Sequence, residues 1–233
     1  MRTAVRVSGR MPVFLGLLAF WAGMVVAAAE YPGGYDWQYT TISSLVYAER
    51  NASGFLAARA GMVLCGLLGL YWTARFLPRG TARNAPPRAA VAALQFGYTC
   101  LFACAVLPEH LLRIPRAHDA LALAAFLGLC CGTTLMTFAA VRRAAQPRPR
   151  PPASRLHAGI LAGLALSPVL LAVLAQTYVS HVLPALPWVS PVWRARGVPA
   201  YLSFAFWEWI TCAVVSLYLV ILSRSVAPPR RYG

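Results

Sequence analysis

The chain has 233 residues, of which 59% are hydrophobic and 12% charged, and its mean hydropathy is +0.60. A soluble domain carries about 25% charged residues, so these figures exclude an ordinary soluble enzyme, a coiled coil and a disordered chain. The net charge of +15 comes from 21 Arg and no Lys. It is spread over short segments between apolar runs, a pattern that marks membrane topology and argues against a nucleic-acid partner.

A helix needs roughly 20 mostly apolar residues to cross a bilayer. Six runs qualify, at 12–29, 54–77, 89–107, 117–141, 157–180 and 200–223. The first run follows Arg2, Arg6 and Arg10 and ends in Ala27-Ala28-Ala29, as a signal peptide would. Its apolar stretch of about 18 residues is longer than a signal core, so a retained helix is expected. No long insert separates the runs. The expected fold is all-α, a polytopic membrane helix bundle of about six transmembrane helices forming one integral membrane domain over 1–233 of a cell-membrane protein.

Orientation follows from the arginines. The N-terminus, the connections after the second and fourth runs and the C-terminus together hold 15 Arg and no acid. The other side holds six Arg and all six acids: Glu30, Asp36, Glu49, Glu109, Asp119 and Glu208. Both termini are therefore expected in the cytoplasm. Within the runs, Gly128 with Gly132 and Gly159 with Gly163 form two GxxxG pairs, expected to pack helices against each other inside the chain. Pro168 is expected to kink the fifth run. The six cysteines, Cys65, Cys100, Cys104, Cys130, Cys131 and Cys212, all lie in apolar runs and read as packing residues.

The outer segments differ from the inner ones. Residues 30–53 contain Tyr31, Tyr35, Trp37, Tyr39 and Tyr47, and residues 181–199 contain four Pro and two Trp. Such amphipathic rings are expected along the membrane interface. Asn51-Ala52-Ser53 is a glycosylation sequon close to the membrane on the outer side.

Ionisable groups in or near a membrane are costly and usually functional. Here nearly all of them fall at the outer helix ends. Arg59 and Glu208 lie at similar depth, roughly 6–12 Å below the outer boundary at 1.5 Å per residue, so they are expected to pair, or Arg59 to hold an anionic head group. His110 and His181 join them as candidate ligand-binding residues. His118 is the candidate acid–base group, with Asp36 or Asp119 to orient it, and Ser43 a candidate nucleophile. These His and carboxylate residues lack metal-motif spacing, so no metal is expected, and no Walker loop, GxGxxG or haem motif names a cofactor.

Three functions fit these residues. The favoured one is a membrane protein that binds a lipid or other anionic ligand, without catalysis, in an outward-facing polar pocket. The others are an intramembrane hydrolase or transferase of lipid head groups, using His118 with Asp36 or Asp119, and a transporter subunit. The expected partners are the bilayer and an anionic lipid.

The first outer segment reads Tyr35-Asp36-Trp37-Gln38-Tyr39-Thr40-Thr41-Ile42-Ser43-Ser44-Leu45, followed by a run carrying Gly61, Gly66 and Gly69. Over 31–126 this resembles the bacterial and archaeal membrane family known as domain-of-unknown-function family 998. The matching features are the Ile42-Ser43 step before the second helix and the polar start of the fourth at His118. Leu45-Val46 stand where a Gly is usual. The resemblance implies a multi-span helical architecture and names no activity.

Overall fold

The computed structural model describes residues 10–77, 87–107, 117–145, 152–182 and 193–225. Among these there are seven α-helices and no strand: α1 (Met11–Ala29), α2 (Ser43–Val46), α3 (Phe55–Arg75), α4 (Arg88–Val106), α5 (Ala117–Ala144), α6 (Pro152–Val182) and α7 (Phe204–Ser225). A 3₁₀ turn, Ala200–Leu202, precedes α7. All but α2 are long and apolar enough to span a bilayer. The chain is a multi-pass membrane protein. The six spans match the six apolar runs, with shifts of a few residues at the ends.

Helices consecutive in sequence are neighbours in the bundle, and α1 meets α7 to close the ring. Glycines set the two tightest crossings. At Gly23 and Gly61 the backbones of α1 and α3 touch so closely that a Cβ on Gly61 would lie 2.6 Å from the Ala19 carbonyl oxygen. At Gly97 and Gly128 the same holds for α4 and α5, where either added Cβ would meet backbone at 2.7 Å. Lipid tails supply no hydrophobic force between helices, so this close backbone approach carries the association. Thr137 ties α5 to α7 by donating to the Tyr218 hydroxyl at 3.0 Å. Large side chains such as Phe14, Val25, Phe96, Phe138 and Leu170 point outward and stay exposed. They form an apolar surface far too extensive for water and suited to acyl chains.

The two GxxxG pairs behave differently. Gly128 and Gly132 pack on Gly97 and Leu94 of α4, as expected. Gly159 and Gly163 pack against no described residue: a Cβ on either would meet nothing within 4 Å. They lie on a face of α6 turned away from α5 and α7, which the repeat alone does not reveal. Pro168 lies inside α6, which continues through it.

The aromatic segment between α1 and α3 packs on the bundle. It folds back over one end of the bundle, because its polar atoms find partners there. Gly33 and Gly34, at φ of +75° and +89°, turn the chain. The Tyr35 hydroxyl donates to the Thr40 carbonyl at 2.7 Å and accepts from Trp209 Nε1 at 3.0 Å. Burial pushes the Tyr35 phenol well above its ordinary pKa, against a smaller lowering by the Trp209 N–H, so it stays neutral in this network. Tyr39 donates to the Val198 carbonyl at 2.6 Å, and Trp37 stacks on Phe206 at 5.7 Å.

The segment before α7 meets this cap through Arg194, whose Nε lies 2.9 Å from Asp36 Oδ2. The Arg194 side chain is 62% exposed. Exposed pairs contribute about 0–1 kcal/mol. Arg194→Ala is therefore expected to shift the midpoint of thermal unfolding in detergent by no more than a few degrees. A large drop would show that this pair holds the two outer segments together.

Candidate ligand cavity

The α4–α5 hairpin brings the end of one helix beside the start of the next. Cys104, in the last turn of α4, thereby meets His118, in the first turn of α5. The thiol sulfur lies 3.4 Å from Nδ1 and 3.5 Å from Nε2. Both residues are buried. The Tyr47 ring packs against the imidazole with centroids 4.5 Å apart.

Across the bundle, Glu208 sits on the second turn of α7. Its Oε2 accepts the Ile42 N–H at 2.8 Å. Ile42 caps α2, and the first N–H groups of a helix have no partner within it. A carboxylate on the neighbouring helix fills that need and pins the cap to α7. Beside it, Thr41 Oγ1 lies 2.8 Å from Ser43 Oγ and 3.2 Å from Ser44 Oγ, and Arg50 donates to Ser44 at 3.1 Å.

Between these groups lies a cavity of about 130 Å³, walled by α1, α3, α4, α5 and α7 and roofed by the α2 segment. Its wall is mostly apolar: Phe20, Met62, Leu101, Phe126, Leu129 and Leu219 are examples. His118, Glu208, Ser43 and Cys104 are among its polar or polarisable groups. An apolar cavity of about 150 Å³ takes one benzene-sized molecule. This space therefore admits a ring or a short stretch of chain, and not a whole lipid.

The sequence-derived candidates divide sharply. His118, Glu208 and Ser43 line the cavity. Arg59 does not pair with Glu208. Its Nε donates to the Val46 carbonyl at 3.1 Å and its guanidinium lies over the Phe55 ring. Similar depth did not bring the two together, because the α2 turn stands between them and satisfies each with its own backbone. Neither acid orients His118. Asp36 is held by Arg194, and Asp119 is exposed and accepts the Tyr47 hydroxyl at 3.0 Å. His181 is exposed at the end of α6, with Nδ1 2.9 Å from the Thr177 carbonyl oxygen, and is not among the residues lining the cavity. His110 and Glu109 lie outside the described residues.

The model of the family described as protein of unknown function (DUF998) matches residues 14–225. The chain belongs to this family. The match runs from the first span to the end of the last and so takes in every cavity-lining residue, not only the 31–126 stretch on which the resemblance rested. No curated protein and no solved structure matches the chain significantly. Family membership accounts for the multi-span helical architecture, and the function must be argued from the cavity.

Sequence reasoning missed two participants. Cys104 read as packing, although it stands two residues from the end of its helix, at the depth expected of His118. The Ile42 N–H has no sequence signal at all, since any residue there supplies it.

Proposed function

We propose that the protein binds a small amphiphile, or a short segment of a lipid chain, in this cavity within the cell membrane. The apolar body would lie against Phe20, Leu101 and Phe126, and the polar end at Glu208 and Ser43. The observation that carries the reading is the Glu208 carboxyl on an apolar cavity wall to which, among the described residues, no Arg contributes. A carboxyl so placed favours a hydrogen-bond donor or a cation and disfavours an anion. The anionic ligand expected from Arg59 therefore gives way to an alcohol or an amine. With both termini in the cytoplasm, as the arginine distribution supports, the α2 cap and the polar end of the cavity face outward.

The test is equilibrium binding of radiolabelled decylamine, decanol and decanoate to the purified protein in lipid nanodiscs. Decylamine and decanol are expected to bind saturably, and decanoate at least about tenfold more weakly, a difference of about 1.4 kcal/mol. Glu208→Gln should remove most of the preference for the amine. Tighter binding of decanoate, or an amine preference that survives Glu208→Gln, would overturn the reading.

A further inference from the structure

The cavity holds four cysteines: Cys65, Cys104, Cys130 and Cys212. Among the described residues, Cys104 is the one within hydrogen-bond reach of an imidazole, at 3.4 Å and 3.5 Å from the two His118 nitrogens. Both partners are buried, 0% and 2% exposed, and both line the cavity. A thiol becomes a strong nucleophile when an adjacent base takes its proton. A buried thiolate and imidazolium then stabilise each other where an isolated charge would not persist. Tyr47 packs on the imidazole and holds Asp119 through its hydroxyl, so the ring is fixed from the cap side.

We infer that Cys104 is a nucleophilic thiol served by His118, and that it accepts a short acyl group from an activated acyl donor, a thioester or an ester. The inference rests on the cavity reading above, since the acyl chain must lie in that space. The enclosed part of the cavity holds about six carbons of a chain, by comparison with a benzene-sized guest, and a longer chain would extend out of its open side.

The step balances without an oxidant or a metal. The Cys104 S–H proton passes to an imidazole nitrogen. The sulfur attacks the donor carbonyl, a C–S bond forms, and the π-electrons move to oxygen. As the tetrahedral species collapses, the bond to the leaving thiolate or alkoxide breaks, and the imidazolium returns the proton to that leaving group. The products are Cys104 thioester and a free thiol or alcohol. A second nucleophile, water or an alcohol, would take the acyl group onward by the reverse sequence.

The experiment treats the full chain in nanodiscs with S-hexanoyl thiophenol and maps the label by peptide mass spectrometry. One hexanoyl group is expected on Cys104, removable by neutral hydroxylamine, with Cys65, Cys130 and Cys212 unlabelled. Cys104→Ser should lose the thioester. His118→Gln should slow labelling by about 10²-fold, the usual size of a general-base contribution. Label distributed evenly over the four cysteines, or a Cys104 rate indifferent to His118→Gln, overturns the inference. Should a variant fail to fold, the wild-type map still decides, because absence of label on Cys104 is itself fatal. Saturable binding of decylamine and decanol without acylation sinks the thiol pair and leaves the cavity reading standing. Absence of both sinks both.

Discussion

Gly128→Ala is expected to destabilise the protein by about 3 kcal/mol, the upper end of ordinary overpacking. The same substitution at Gly159 is expected to be neutral or mildly stabilising. Both glycines lie within helices, where Ala is favoured over Gly by roughly 0.5–1 kcal/mol, so the propensity change is equal and only the surroundings differ. At Gly128 the new Cβ would sit 2.7 Å from both Cα and N of Gly97. Backbone lies on both sides of this contact, so no rotamer can relieve it, and α4 and α5 must separate. That separation also parts Cys104 from His118 and opens the cavity wall. At Gly159 the Cβ enters open space. The check is thermal unfolding followed by size-exclusion of each variant in one detergent. Equal midpoints for the two variants would mean that the α4–α5 crossing is looser than a 2.7 Å approach implies.

The contrast between those glycines shows how much of the fold was legible in the sequence. Length and hydropathy are properties of single segments, so all six spans could be read from the sequence. Helix packing is a property of pairs. Gly128-x-x-x-Gly132 and Gly159-x-x-x-Gly163 look alike along the chain, and only the partner helix distinguishes them. The site followed the same division. Placement of His118 and Glu208 near one end of the bundle follows from where their helices begin. The choice of partner does not: a backbone N–H took Glu208 and a backbone carbonyl took Arg59, and backbone groups are identical at every position. Charge pairing read from depth alone therefore erred, because it weighed side chains against side chains and left out the turn between them.

Asn51 carries the second large effect. Read as part of a sequon, it is a surface acceptor; in the fold it is fully buried and its amide is committed. Nδ2 donates to the Ala27 carbonyl at 2.9 Å and to the Leu45 carbonyl at 3.3 Å, while Oδ1 accepts the Gly54 N–H at 3.2 Å. These three groups belong to the last turn of α1, to α2 and to the N-cap of α3. Two of them are helix-end groups that no intrahelical bond satisfies. One side chain thus fastens the α2 cap to the two helices that frame it. Asn51→Ala would leave two carbonyls and an N–H buried, each costing about 1–3 kcal/mol when unsatisfied. With partial relaxation the net loss is expected at about 3 kcal/mol, a fall in the unfolding midpoint of roughly 6–12 °C for a chain of this size. Asn51→Asp should be at least as damaging, since it keeps the acceptor for Gly54 but turns a second oxygen toward two carbonyl oxygens. Asn51→Gln should not rescue, because a Cβ on Gly54 would already lie 2.8 Å from Nδ2, which leaves no room for a longer side chain. Because α2 supplies Ile42 and Ser43 to the cavity, the Ala variant should also weaken decanol binding at temperatures where it remains folded. A variant that keeps both its midpoint and its binding would show that the cap is held by Glu208 and the tyrosines alone.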